Sequence, residues 1–169
     1  MLAFLLMACQ PIGTAAGNND NDPMAVGIRL MRAGEPTQAL GAFNRALAER
    51  VTAEALTGAA SAYHALGQRK QAKELLHAAI KRDPNLGLAR NNLGILLYED
   101  GDYAAAEQEL RRAFAITGGA DRAIATNLAF AEFALSQVPA PTVKDADAFD
   151  VIQYGHGLYR LERAEKDTL

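Results

Sequence analysis

The sequence contains no tryptophan, and aromatic residues make up only 7% of its 169 residues. Large aromatic side chains therefore cannot fill most of a core. Half of the residues are hydrophobic, and alanine is abundant among them. This composition favours helices that pack closely through small side chains. A chain of this length is expected to form one domain.

Several classes of function are disfavoured by what is missing. The net charge of −3 leaves no basic surplus to neutralise phosphates, so nucleic acid is not expected as a partner. No apolar run reaches the roughly 18 to 20 residues that span a bilayer. The HxxxH, CxxC, GxSxG and P-loop patterns are absent, and His64, His77 and His156 are interpreted as solvated side chains. We therefore predict no enzyme activity, no cofactor and no metal site.

Cysteine occurs once, at Cys9, so an internal disulfide is excluded. The preceding Leu6, Met7 and Ala8 resemble the lipobox of bacterial lipoproteins. The resemblance implies that a signal peptide, residues 1–8, is removed and that Cys9 is acylated. Two or three acyl chains give stable anchoring. This leader is short and lacks a positively charged start, so we expect the printed chain to begin inside a longer signal peptide. An apolar N-terminus with an incidental cysteine is the alternative.

Residues 9–22 are predicted to form a flexible tether, because they are rich in Gly, Asn and Asp and offer little to bury. Gln10 stands where an Asp would favour retention in the inner membrane of a lipoprotein. The resemblance therefore implies an outer-membrane protein that faces the periplasm.

Six columns of small or apolar residues recur along the chain. Gly34, Gly67 and Gly101 give the steps, which are 33 and 34 residues. The other five columns are Gly27, Ala60 and Gly94; Leu30, Tyr63 and Leu97; Ala39, Ala72 and Ala106; Phe43, Leu76 and Leu110; and Ala46, Ala79 and Ala113. Six aligned columns that share one insertion indicate an internal repeat.

Each column has a physical role in a pair of helices. Gly27 and Gly94 lie inside helices, where glycine costs up to about 1 kcal/mol and is tolerated only if a neighbour approaches closely. The alanine columns supply small surfaces on the second helix, and the Phe43 column fills the space between pairs. The Gly34 column turns the chain, because glycine adopts a positive φ cheaply.

The columns resemble the tetratricopeptide repeat, whose period is 34 residues and whose pattern is W-x-x-L-G-x-x-Y, A-x-x-x-F and P. The resemblance covers residues 20–118. No unit has the tryptophan, which is replaced by Pro23, Leu56 and Arg90, and the closing proline is present only as Pro84. An unrelated helical bundle is the alternative.

We therefore predict an all-α fold, an α-solenoid of helix–turn–helix repeats with a C-terminal capping helix. The predicted helices are 23–33, 36–49, 53–66, 69–82, 86–99, 103–117 and 121–136. They form a repeat domain at 23–137, whose units are about 20–52, 53–86, 87–120 and a partial 121–137. A proline-containing loop at 138–147 leads to the predicted helix at 148–169.

The first helix of each pair is expected to line a concave, largely apolar groove that suits a peptide or an amphipathic helix. The predicted groove residues are Met24, Ile28, Met31, Thr57, Ser61, His64, Leu88, Asn91, Asn92, Ile95, Tyr98, Asn127 and Phe130. The resemblance implies that Asn92 bonds a ligand backbone; the alternative is a bond within its own helix pair. In a further alternative, the C-terminal helix covers Phe130 and Phe133 and shortens the groove.

These features predict a lipid-anchored adaptor that binds a protein partner in the bacterial envelope. The layout resembles small pilus-assembly lipoproteins, namely the pilotins and the TadD component, and this resemblance implies a role in assembling pilus or secretion machinery. The alternatives are a periplasmic chaperone or self-associating scaffold, which would form homo-oligomers, and an accessory subunit of a cell-wall enzyme.

Overall fold

A computed structural model of the chain describes residues 21–138, 149–153 and 159–163. The chain has two compact parts, Met1–Leu135 and Ser136–Leu169, and the word unit is kept below for the repeats. The described residues contain these helices: α1 (Pro23–Arg32), α2 (Pro36–Glu49), α3 (Ala53–Ala65), α4 (Arg69–Arg82), α5 (Gly87–Glu99), α6 (Tyr103–Ile116) and α7 (Arg122–Gln137). All seven predicted helices are confirmed, each end within one residue. None of the described helices is long and apolar enough to cross a bilayer.

Side-chain caps set the start of several helices. The Asp22 carboxylate accepts a hydrogen bond from the Met24 N–H at 3.1 Å and begins α1. The Thr52 hydroxyl accepts one from the Ala55 N–H at 3.1 Å and begins α3. Such caps satisfy backbone donors that have no partner inside the helix.

The predicted glycine turns are confirmed by the backbone angles. Gly34, Gly67 and Gly101 have φ values of +75°, +74° and +83°. In the second unit the Gly67 N–H donates to the His64 carbonyl and the Gln68 N–H donates to the Tyr63 carbonyl, both at 2.8 Å. This pattern ends a helix through a residue with left-handed backbone geometry, which explains the repeated glycine.

The small-residue columns form the contacts between helices. Phe43 of α2 is 1% exposed, and a Cβ atom added to either Gly27 of α1 or Gly58 of α3 would lie 2.5 Å from its ring. In the third unit a Cβ at Gly94 would lie 2.5 Å from Leu110. The predicted role of Gly27 and Gly94 in close helix approach is therefore confirmed. Gly58 has the same role but belongs to none of the six columns.

Arg90 occupies one of the places where the repeat pattern has a tryptophan. Its guanidinium bonds the Glu109 carboxylate of α6 at 2.7 Å and the Pro84 carbonyl at 3.0 Å. The side chains of Arg90 and Glu109 are only 14% and 15% exposed. A largely buried ion pair therefore joins the two helices of the third unit at this place.

The predicted C-terminal helix at 148–169 is wrong where the structure describes it. Residues Phe149–Gln153 (β1) and Tyr159–Arg163 (β2) form an antiparallel pair in which Val151 lies opposite Leu161. Val151 and Ile152 are β-branched, and two glycines lie between the strands in the sequence; both features disfavour a helix. The described part of the chain therefore supplies no second helix for the fourth unit.

Candidate functional site

Two neighbouring cavities lie along the exposed faces of α3, α5 and α7. The first has a volume of about 360 Å³ and is lined by Met31, Ala60, Ser61, His64, Ala65, Leu76, Asn92, Ile95 and Leu96. The second has a volume of about 180 Å³ and is lined by Ile95, Tyr98, Glu99, Leu110, Asn127 and Phe130. Ile95 lines both cavities, so they are adjacent, and we refer to the two together as the groove.

Eight of the thirteen predicted groove residues line these two cavities. They are Met31, Ser61, His64, Asn92, Ile95, Tyr98, Asn127 and Phe130. Ile28 and Leu88 are exposed, at 42% and 56%, but line neither cavity. Met24 packs near Ala46 and Ala55, where α1 begins, and lines a separate small cavity.

The structure removes Thr57 and Asn91 from the accessible surface. Thr57 is 1% exposed, and its hydroxyl donates to the Ala53 carbonyl one turn earlier at 2.8 Å. Asn91 is 7% exposed, and its side chain faces α7 rather than the groove opening. Burial therefore removes both residues from the predicted groove surface.

Amide side chains are connected across three first helices. The Asn127 side-chain N–H donates to the Asn91 oxygen at 2.9 Å, and the Asn91 N–H donates to the Asn92 oxygen at 3.3 Å. The Asn92 N–H donates to the Ser61 hydroxyl at 3.0 Å, and Ser61 donates to the Thr57 carbonyl at 2.9 Å. We call these four side chains, Asn127, Asn91, Asn92 and Ser61, the amide ladder; its bonds connect α7 to α5 and α5 to α3.

The amide ladder shows which hydrogen bonds the Asn92 side chain makes. Its N–H donates to Ser61 in the preceding unit, while its oxygen accepts from Asn91 in its own helix, so Asn92 bonds both within its own pair and across to α3. A side-chain amide has two donor hydrogens, and one of those on Asn92 remains available at the first cavity. At the other end, the Asn127 oxygen accepts no hydrogen bond from any residue that the structure describes. The ladder therefore offers both a donor and an acceptor to a peptide backbone.

A group of charged side chains joins the two cavities at the turn between α5 and α6. The His64 ring and the Arg69 guanidinium both contact the Glu99 carboxylate at 2.9 Å. Arg69 also bonds Asp100 at 2.9 Å, and Lys73 bonds Asp100 at 2.8 Å. We call these five residues the charge cluster. His64 is therefore paired rather than merely solvated, which corrects its sequence-based interpretation.

The charge cluster favours the ionised form of Asp100. The hydrogen bond from Lys73, opposed by partial burial and aided by the bond from Arg69, lowers the pKa of the Asp100 carboxyl from its usual value of 3.8. Both cations are thus committed to carboxylates of the chain itself at neutral pH. The groove edge is close to electrically neutral as a result.

The sequence did not identify Glu99, Arg69, Lys73 or Asp100 as groove residues. Glu99 and Asp100 have no acidic equivalents in the first two units, which have Arg32 and Ala33, and Ala65 and Leu66, at these places. The two bases, Arg69 and Lys73, precede these acids by about one repeat, and this spacing could have indicated ion pairs between neighbouring units. That spacing becomes meaningful only when the stacking of α4 on α5 is known.

The last described helix, α7, has an exposed apolar face. Phe130 and Phe133 are 58% and 67% exposed, and both line an open cavity of about 500 Å³ with Arg122, Ala125, Thr126 and Ala129. The helix that the alternative places over these two rings is wrong where the structure describes it, because Phe149–Gln153 and Tyr159–Arg163 are strands. Phe130 lines both the second cavity of the groove and this open cavity.

The described residues contain no group of three or more potential metal ligands among His, Cys, Asp and Glu. Cys9, the predicted lipidation site, lies outside the residues that the structure describes. The arrangement described above is suited to holding a peptide through apolar contacts and backbone hydrogen bonds.

Solved structures share this architecture. The Sgt2 TPR domain from Aspergillus fumigatus matches with a TM-score of 0.64 at 24% identity, covering 81% of this chain and 96% of that domain. The second TPR domain of human RPAP3, in complex with the HSP70 peptide SGPTIEEVD, matches with a TM-score of 0.58 at 18% identity, covering 66% and 93%. The Yersinia enterocolitica type III secretion translocator chaperone SycD matches with a TM-score of 0.59 at 14% identity, covering 69% and 85%.

These likenesses establish the fold alone, since all three identities are below 25%. No curated protein matches the sequence. The family model of the tetratricopeptide repeat matches residues 25–68 and 57–121, which together span more than half of the chain. The matched residues include the glycine turns, the alanine columns and the first cavity of the groove. The chain therefore belongs to the tetratricopeptide repeat family, a family of protein-interaction scaffolds.

Proposed function

We propose that the protein is a lipid-anchored adaptor of the bacterial envelope that captures a protein partner in the groove between α3, α5 and α7. The observation that carries the proposal is the groove itself. It combines two apolar cavities with an amide ladder that keeps one donor at Asn92 and one acceptor at Asn127. This combination fits a peptide segment, whose backbone needs both kinds of partner and whose apolar side chains need cavities.

The proposed anchor is Cys9, at the end of the lipobox-like sequence Leu6-Met7-Ala8. Residues 10–22 would then act as a tether between the membrane and the repeat domain. From the scaling of flexible linkers, a coil of this length spans on the order of 20 Å. That distance allows the groove to stand clear of the lipid headgroups and to meet a partner in the periplasm.

We propose further that the adaptor helps to assemble a larger envelope machine, of the pilus or secretion type. The support for this step is the layout, a small lipoprotein-like leader followed by a short repeat domain. The likeness to SycD, which is named as a secretion translocator chaperone, favours a chaperone as the alternative function. In that alternative the groove would hold a subunit before its assembly rather than connect two finished parts.

A pull-down from detergent-solubilised envelopes tests the groove. Tyr98→Asp places a charge at a groove residue that is 37% exposed, while Phe114→Asp does so on α6 at a residue that is 36% exposed and lines neither cavity. We expect the Tyr98→Asp protein to lose the partner and the Phe114→Asp protein to retain it. Equal recovery of the partner by both variants would place the binding surface elsewhere.

Membrane fractionation tests the anchor. We expect Cys9→Ser to move the protein from the membrane fraction to the soluble periplasmic fraction and to remove incorporation of labelled fatty acid. A Cys9→Ser protein that stays in the membrane with unchanged mobility would contradict lipidation at this residue.

Self-association is a second candidate, and the exposed Phe130 and Phe133 on α7 favour it. Sedimentation separates the two functions. A concentration-dependent dimer of the wild-type repeat protein that becomes monomeric in the Phe133→Ser variant would support self-association. A monomer at all concentrations would support the adaptor.

A further inference from the structure

We propose that Glu99 and Asp100 determine the charge specificity of the groove, so that it takes an uncharged apolar peptide segment and rejects an acidic one. This inference rests on the proposed function, since it names the kind of ligand that the groove would hold. The carrying observation is the charge cluster, which stands where the two cavities meet and in which both acids are already paired with bases.

The bases beside the groove are occupied by these two acids. Arg69 bonds Glu99 and Asp100, each at 2.9 Å, and also reaches the Glu99 carbonyl at 3.4 Å. Lys73 bonds Asp100 at 2.8 Å. The charges of both bases are thus already balanced by carboxylates of the chain, so a ligand carboxylate would gain less from them than from unpaired bases. The cluster is for this reason a poor site for an acidic ligand.

The acids also repel such a ligand directly. Among the described residues that line the two cavities, Glu99 in the second is the only acidic side chain and His64 in the first is the only basic one. The Glu99 carboxylate meets the His64 ring at 2.9 Å. A second carboxylate in this space would be close to a like charge in a partly dehydrated site, which is unfavourable.

The shapes of the cavities indicate what the groove accepts instead. An apolar protein cavity of about 150 Å³ holds a benzene-sized group. The second cavity, at 180 Å³, therefore fits one aromatic or branched aliphatic side chain, and the first, at 360 Å³, fits a larger one. Since Ile95 lines both cavities, the ligand would carry two apolar side chains that straddle Ile95. The Asn127 oxygen would accept a backbone N–H next to the second of these side chains.

Fluorescence anisotropy with two labelled probes tests the inference on the repeat protein with its full chain. The acidic probe is SGPTIEEVD with a free C-terminal carboxylate. The neutral probe is an amidated nine-residue peptide with leucine and phenylalanine two positions apart and only serine, glutamine and glycine elsewhere. For the wild-type protein we expect the neutral probe to bind at least tenfold more tightly than the acidic probe.

The decisive variant is Glu99→Gln combined with Asp100→Asn. It removes the carboxylates that occupy Arg69 and Lys73 but keeps the shapes of both side chains. We expect the acidic probe to bind this variant at least tenfold more tightly than the wild type, with the gain reduced at high salt. The quantity compared is the ratio of the two affinities, which should shift toward the acidic probe.

A matched control separates local from overall charge. Glu49→Gln with Glu74→Gln makes the same change in net charge at two exposed residues that line neither groove cavity. We expect it to leave both affinities unchanged. A control protein that gains the acidic probe as strongly as the cluster variant would overturn the inference, because the effect would then come from net charge.

The outcomes distinguish the inference from the proposed function. If the wild type binds both probes equally, or if the cluster variant binds the neutral probe but gains nothing for the acidic one, the specificity claim is wrong and the groove remains the binding site. If neither probe binds either protein, while circular dichroism confirms the helical fold, the proposed function fails and this inference fails with it.

Discussion

The packing surfaces between helices and the groove surface are built on different principles, although both lie on the same helices. The packing surfaces repeat: alanine columns, glycine turns and one large apolar residue recur in each unit. The groove does not repeat, since Ser61, Ile95 and Phe130 occupy comparable places on successive first helices. The difference indicates that recurring positions maintain the fold, while non-recurring positions select the ligand.

The largest expected effect on stability comes from comparing two phenylalanines, one in a packing surface and one in the groove. Phe43 is 1% exposed between Gly27 and Gly58, whereas Phe130 is 58% exposed in the groove. We expect Phe43→Ala to lower the free energy of unfolding by about 3–5 kcal/mol. Phe130→Ala should change it by about 0.5 kcal/mol or less. Urea denaturation measures both; similar losses would contradict the separation of packing from groove residues.

Two glycines within helices give the next comparison. A Cβ at Gly94 would lie 2.5 Å from Leu110 and 3.3 Å from the Ala106 carbonyl, whereas a Cβ at Gly41 would meet no atom within 4 Å. Gly94→Ala should destabilise the protein by about 1–3 kcal/mol through overpacking. Gly41→Ala should stabilise it by about 0.5–1 kcal/mol through helix propensity. Thermal unfolding measures the melting temperatures of both variants. Shifts of the same sign for Gly94→Ala and Gly41→Ala would refute close packing at Gly94.

The amide ladder is a groove feature that also contributes to stability. In a double-mutant cycle of Asn91→Ala and Asn127→Ala, we expect a coupling free energy of about 0.5–1.5 kcal/mol, because the hydrogen bond between the two side chains joins adjacent units. Chemical denaturation of the four proteins provides the values. Additive losses would show that the ladder does not connect α5 with α7.

The smallest effect concerns Asp100 and its pH dependence. Because the pKa of the folded carboxyl lies below 3.8, the ionised Asp100 stabilises the protein above that pH, and the contribution disappears as the pH falls through the folded pKa. We expect Asp100→Asn to cost less than about 1 kcal/mol at pH 7, since the ion pairs are partly exposed. Unfolding curves at pH 7 and pH 2.5 should show the difference between the two proteins shrink at low pH. A constant difference would mean that the carboxylate charge is not responsible.

The helices could be predicted from the sequence because their signals are local. Gly34, Gly67 and Gly101 mark turns that require a positive φ, and the alanine columns follow the helical period. Gly58 was missed for a physical reason. Its equivalents in the other units are Ala25 and Asn92, so no glycine column marks the position, and the contact that requires a glycine is made by the Phe43 ring.

The groove could be predicted only in part. Counting along helical faces found six residues that line the cavities, and the family pattern added Asn92 and Asn127; the counting also included Thr57 and Asn91, which are buried. The charge cluster depends on contacts between α3, α4 and α5, which no single stretch of sequence encodes. The C-terminal strands were missed because two signals compete in this stretch. Phe149 and Ile152 have helical spacing, which the prediction followed, whereas the β-branched Val151 and Ile152 favour a strand.

Site-specific photo-crosslinking in living cells would test the central claim, that the groove is the surface that binds a partner. A photoreactive phenylalanine would replace Tyr98 in the groove in one protein and Phe114 on α6 in the other, at residues of nearly equal exposure, 37% and 36%. The account predicts a discrete covalent adduct with another protein from position 98 and none from position 114. An adduct from position 114 alone would contradict it.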